Sequence, residues 1–152
     1  MGSISITTGI NAPVDVCFDA ARDVALHMKS AAFSGERLIA PGRLEGLLEL
    51  GDLVCFEGRH FGIGQTFCAR ITEVQRPDRF VDEMVRGAFR WMRHVHAFER
   101  DGHSTVMRDL VIWEAPLGIL GRLADKIFLE RHMHRFVETK QKQLKGLIEG
   151  RL

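Results

Sequence analysis

The stretch FVDEMVRGAFRWMRHVHAFERDGHSTVMRDLVIW, residues 80–113, decides the fold. It holds three runs of alternating character: Phe80 to Arg86, Phe89 to Arg100 and Thr105 to Trp113. Gly87-Ala88 and Asp101-Gly102-His103 separate them by loops of hairpin length. Strands joined so briefly must run antiparallel, because a parallel return needs a dozen or more residues. Successive side chains in a strand point to opposite faces. Phe80, Asp82 and Met84 therefore share one face, as do Met92, His94, His96 and Phe98 on the next strand, and Thr105, Met107, Asp109, Val111 and Trp113 on the last. Alternation alone leaves the inner face open, since Phe89, Trp91, Arg93, Val95, Ala97 and Glu99 form an equally mixed set.

Upstream, Leu53 to His60 and Gln65 to Val74 read as two more strands joined through the glycines of Phe61-Gly62-Ile63-Gly64. Gly58, Gly62 and Gly64 serve turn geometry, because they do not spell G-x-G-x-x-G and no helix follows. Residues 31–39 predict an irregular strand, closed by Pro41-Gly42. At the front, Ile4, Ile6 and Ile10 share one face of a half-buried strand that Asn11-Ala12-Pro13 stops. Val14, Cys17, Phe18 and Ala21 then recur at helical spacing, and a second short helix covers Val24 to about Met28. Downstream of Pro116-Leu117-Gly118 the period lengthens. Leu120, Leu123, Ile127, Phe136, Val137, Leu144 and Leu147 mark the apolar stripe of a helix of roughly 45 Å, with Lys126, Glu130, Arg131, Lys140 and Lys142 on the opposite face. His132 and His134, two apart on that helix, read as surface or boundary residues. Segregated strands and helices predict an α+β fold: about seven antiparallel strands, two short helices between the first and second, and one long C-terminal helix, in a single domain spanning 1–152. A sheet of this length twists and curls, and the long helix is what its concave face can pack against.

A net charge of +1 gives no one-signed field for nucleic acid or an anionic membrane, and the arginines are dispersed. Arg86, Arg90 and Arg93 read as solvated surface. No apolar run reaches the roughly 18 residues of a membrane span, and Met1 to Ser5 lacks the features of a signal peptide. The expectation is a cytoplasmic protein. Cys17, Cys55 and Cys68, odd in number and without zinc spacing, fit that compartment as small buried apolar side chains.

The element order, together with Gly51-Asp52-x-Val54, His60-Phe61-Gly62-Ile63, Pro77-x-x-Phe80-x-Asp82-x-Met84, Gly87-x-Phe89, His94-x-His96-x-Phe98, Thr105-x-Met107-x-Asp109 and Pro116-x-Gly118-x-Leu120-Gly121-x-Leu123-Ala124-Asp125, resembles the helix-grip fold of the START and Bet v 1-like superfamily. Its bacterial members include polyketide cyclase/dehydrase-like and ligand-binding proteins. The resemblance spans nearly the whole chain. It implies a cavity between sheet and last helix, and it favours Met92, His94, His96 and Phe98 as the inward set. The family pattern often carries an aromatic two residues before the first histidine. Here that position is Met92, and Trp91, one residue off, belongs to the other face.

Two histidines and two aspartates among methionines and aromatics on a concave face need partners, because buried ionisable groups are costly alone. Three arrangements supply them. One is a closed structural network of His94, His96, Asp82 and Asp109. The second is a ligand site in which these groups orient the polar end of a small apolar or aromatic molecule, against a lining of Phe56, Phe67, Met84, Met107, Val111 and Trp113 closed by Leu123 and Ile127. In an enzymatic version His96 with Asp109 is the general base of a cyclase or dehydratase. The third is a metal held by two histidines and Asp82 or Asp109, for which the motif alone is unspecific. The site assignment therefore includes no metal and no cofactor. Glu36 and His60 could reach the cavity from neighbouring strands. The expected partner is a small hydrophobic or aromatic ligand, with no nucleic acid and no membrane. A homodimer and a plain interaction module with a loosely filled core stay open.

Overall fold

A computed structural model describes residues 1–60, 62–116, 118, 123 and 128–150. The chain runs β1 (Gly2–Ile10), α1 (Val14–Arg22), α2 (Val24–Ser30), β2 (Arg37–Leu38), β3 (Leu53–His60), β4 (Ile63–Gln75), β5 (Arg79–Arg86), β6 (Trp91–Asp101), β7 (Ser104–Glu114) and α3 (Glu130–Ile148). All seven strands form one antiparallel sheet in the order β1-β7-β6-β5-β4-β3-β2. The predicted α+β arrangement is the observed one.

Local chemistry sets the element ends. β1 starts two residues before its apolar pattern because Gly2 passes flat against the buried indole of Trp113. A Cβ there would sit 2.3 Å from a ring carbon. The Asp23 carboxylate caps α2 by accepting from the backbone N–H groups of Ala25 (2.9 Å) and Leu26 (3.3 Å). The strand expected over residues 31–39 shrinks to the two residues of β2. Ala32–Ser34 form a 3₁₀ turn whose end, Gly35, has φ of 72°, and the Ser34 hydroxyl donates back to the Ala31 carbonyl. The local turn outcompetes extension. The apolar spacing predicts the long helix from about Leu120. Leu120 and Ile127 lie outside the described residues, and the described helix is α3.

Phe18 of α1 fills the centre of one core cluster, with its ring edge-on to Phe80 (5.6 Å) and Phe98 (5.5 Å). A second cluster gathers Ile4, Ile6, Met92, Val111, Trp113 and Val137. One amide ties three elements together. Gln141 of α3 donates to Asp109 of β7 and to the Ile6 carbonyl of β1 (3.4 Å), and it accepts from Thr8 of β1. Lys145 and Glu149 extend this mooring to the Gly9 carbonyl and the Asn11 N–H.

One expectation is overturned here. Cys55 and Cys68 are not free thiols. They face each other across β3 and β4 with Cα atoms 4.1 Å apart and form a disulfide, while Cys17 is free and buried. The alternation of the two strands does not reveal this, because pairing Cys55 with Cys68 depends on hairpin register. Such a bond is rare in reducing compartments, so the cysteines no longer argue for the cytoplasm. Among the described residues no helix is long and apolar enough to cross a membrane.

Candidate functional site

Enclosed by the concave face of the sheet, α2 and α3 is a cavity of about 340 Å³. That lies at the lower end of the range for small-molecule sites. Its apolar wall includes Phe56, Phe67, Phe80, Met92, Val111 and Phe136. Its polar groups come from the inner face of β5 and β6 (Asp82, His94, His96), from α2 (His27) and from α3 (Lys140). A second polar cluster on the wall joins Glu36, His60 and His132.

Strand register builds the first group. His96 lies opposite Asp109 on one side and Phe80 on the other, and His94 lies opposite Asp82. Two of the resulting bonds are diagonal. His96 donates through Nε2 to Asp82 (2.7 Å), and its Nδ1 forms an ion pair with Asp109 at 2.9 Å. Carboxylates only accept, so both nitrogens carry protons and the ring is an imidazolium. Burial alone would depress its pKa. The bonds to Asp109 and Asp82 and their charges reverse this and raise it to about 9. The cation is sandwiched between Phe80 (centroids 4.1 Å apart) and His94 (3.8 Å). Burial opposes the charge on Asp109, yet His94 and His96 hold its pKa well below the ordinary value. Its second oxygen accepts from Gln141.

His94 behaves differently. Burial, reinforced by the adjacent His96 cation, lowers its pKa and keeps it neutral. It gives its single proton from Nε2 to Asp109 (2.8 Å). Nδ1 is then an acceptor, and it has no hydrogen-bond partner among the described residues.

On the opposite wall Lys140 donates from Nζ to His27 Nε2 (2.6 Å), and His27 stacks on Phe56 at 4.8 Å. Burial and the lysine charge push the His27 pKa well below its usual value, so the ring is a neutral acceptor. Burial also lowers the pKa of Lys140. His60 and His132 share a hydrogen bond of 3.0 Å, with Glu36 3.7 Å from His60.

Asp82, His94 and His96 each bring one donor atom within 4.8 Å of the others, a set that could hold a metal ion. His96 already spends both nitrogens on carboxylates, so a cation there would have to displace its ion pair with Asp82.

Of the residues expected at the site, Phe56, Phe67, Asp82, His94, His96 and Val111 line the cavity. Asp109 and Met107 line a smaller adjoining void of about 30 Å³, shared with His27, His94, His96 and Lys140. Trp113 is fully buried in the core behind the cavity wall. Met84 packs on the second core cluster beside Phe67. Leu123 does not close the cavity, being 57% exposed, and Ile127 lies outside the described residues. Two readings of α3 are corrected. His132 and Lys140 face the cavity rather than the surface. The signal was present in the spacing: Lys140 falls four residues after Phe136 and four before Leu144, on the apolar stripe itself. His27, in a helix too short to show a clear stripe, offers no such signal.

No protein-family model matches the chain, and no curated protein matches it in sequence. Solved structures match it in shape. A protein from Thermus thermophilus aligns at a TM-score of 0.77 and 18% identity, over 97% of each chain. A Chromobacterium violaceum protein aligns at 0.74 and 16%, again over 97% of each. The major latex-like protein 151 of Panax ginseng aligns at 0.67 and 14%, over 96% of each. At these identities the likeness establishes the fold.

Proposed function

We propose that this chain, which has the helix-grip fold of the START and Bet v 1-like superfamily, binds a small, mainly apolar or aromatic molecule in the cavity between sheet and α3. The observation that carries the reading is the composition of the cavity wall: aromatic and aliphatic side chains over most of its surface, with His94, His96, Asp82 and Lys140 converging on it. A few placed polar groups in an apolar lining orient a ligand, and the lining supplies the affinity. The ligand's polar atom sits against His94 Nδ1, which accepts, or Lys140 Nζ, which donates. Native mass spectrometry of protein purified from its own cells tests this. The expected result is a mass excess of a few hundred daltons at most, lost on denaturation. Protein that carries no such mass, and whose melting point no member of an aromatic panel raises, refutes the reading.

A second reading has its own supporting observation. An aspartate-oriented neutral histidine with a free nitrogen beside an apolar cavity is the arrangement of a general base. On this reading the base is His94. His96 cannot serve, since its lone pairs are protonated and bound to Asp82 and Asp109. His94→Gln would then abolish turnover of a cyclisable or dehydratable carbonyl substrate with an unchanged circular dichroism spectrum. Retained turnover in that variant removes the assignment.

A further inference from the structure

Lysine is scarce in this chain: Lys29, Lys126, Lys140, Lys142 and Lys145, against sixteen arginines. Lys140, on the cavity side of α3, also touches the smaller void shared with His94 and His96. Among the described residues no carboxylate lies within ion-pair distance of its amine. Its one hydrogen-bond partner among them is the neutral ring of His27, itself pinned on Phe56. An ammonium so enclosed pays desolvation with no carboxylate in contact, and the longer-range pull of Glu36, Asp109 and Asp82 is smaller than that penalty, which favours the uncharged amine. The direction of its pKa agrees. An arginine there could not make this change, because guanidinium stays protonated.

We propose that Lys140 is a nucleophilic amine that condenses with an aldehyde or ketone held in the cavity. The Nζ lone pair attacks the carbonyl carbon and forms the C–N bond, while the C=O π pair moves to oxygen. The two amine protons leave with that oxygen as water, and a C=N bond joins the ligand to the chain. His27 positions the amine: one N–H is committed to its Nε2, which fixes the direction of the lone pair. The charges in the cavity favour a neutral carbonyl over an acid. Glu36, Asp82 and Asp109 supply three carboxylates against the single cation His96 once Lys140 is uncharged, so an anionic ligand would add to an existing negative excess. The inference rests on the proposed binding role and names the ligand class that role would serve.

The test is incubation of the full chain with benzaldehyde and sodium cyanoborohydride at neutral pH, followed by intact mass and peptide mapping. One benzyl group per chain is expected, on Lys140, forming at least about ten-fold faster than on the exposed Lys29 and Lys142, since reactivity follows the free-amine fraction. Lys140→Arg keeps a donor to His27 and should lose the adduct. Label spread over Lys29 and Lys142 with Lys140 unmodified overturns the proposal, whatever the variant's fold. Benzyl alcohol, with the ring but no carbonyl, separates the two layers by ligand-observed NMR. If it binds while Lys140 stays unlabelled, the condensation alone is wrong. If neither probe engages the cavity, the binding role falls with it.

Discussion

Replacing Asp82 with asparagine should flatten the alkaline limb of the protein's stability profile. In the folded chain His96 keeps its proton to about pH 9, against 6.5 for the free side chain. A group whose pKa is raised on folding contributes stability that is fully present below the unfolded value and is lost as pH climbs through the folded one. At 1.36 kcal/mol per pH unit, the interval from 6.5 to about 9 corresponds to about 3 kcal/mol, a large share of a small domain's stability. The side chain is only 12% exposed, so solvent screening takes little from this figure. In urea denaturation of the wild type at half-unit steps from pH 6.5 to 9, His96 should contribute a fall in unfolding free energy of about that amount. Asp82→Asn removes one of the two charges that hold the proton and should cut the fall by roughly half. His27, His94 and His132, whose pKa values are lowered, give the opposite slope near neutrality, and Lys140 does so in the alkaline range. His27 and His132 are common to both proteins, and Asp82 acts on His94 and Lys140 through charge alone, so the difference between the two curves reports mainly the hydrogen-bonded His96. Two parallel curves would show that His96 is not held as a cation between the two carboxylates. On the acid side the same ion pairs act through Asp82 and Asp109, whose lowered pKa values make stability fall as pH drops below the ordinary carboxylate range. That is the same interaction seen from its other partner, and it adds no second increment.

Phe18→Ala should cost about 3–5 kcal/mol in chemical denaturation, because the ring is fully buried between Phe80 and Phe98. Gly42→Ala should cost about 1–3 kcal/mol: the added Cβ would lie 2.5 Å from the Cys55 backbone nitrogen, and backbone cannot rotate away. Thiol titration in non-reducing denaturant should count one cysteine per chain, Cys17, and reduction should lower the stability by about 2–3 kcal/mol, the loop-closure contribution for a separation of 13 residues. A count of three would remove the disulfide.

The strand half of the architecture is legible because period-2 alternation is strong in residues 80–113. The buried Met92 and Phe98 and the 37% exposed Trp91 follow from that parity together with the family resemblance. The pairings are only half legible. Asp82, His94, His96 and Asp109 share one face by counting. Which carboxylate meets which imidazole depends on register and on diagonal reach across twisted strands, and no local pattern encodes either. Counting alone therefore makes His96 the natural base, although its contacts fix it as a cation. On α3 the error is of another kind. Charge puts Lys140 with the solvated residues, whereas its spacing from Phe136 and Leu144 puts it on the stripe. Residue type overrides position in such a reading, and lysines with buried stems are where that shortcut fails. Most of the strand expected around β2 is lost to a local turn, which competes at the scale of single hydrogen bonds.

The mooring of α3 by Gln141 also bears on how the chain comes together during synthesis. β1 pairs with β7, so Gly2 must find Trp113, and Asp109 receives its amide only once residue 141 exists. Hairpins such as β3–β4 can close as they leave the ribosome. The first strand, whose one partner is β7, must meanwhile wait unpaired while about a hundred residues are translated. Contacts of such long sequence separation slow folding and leave apolar edges bare in the interim. A ribosome halted between β6 and β7 would hold a partial sheet with its first strand still unpaired, the species most exposed to aggregation.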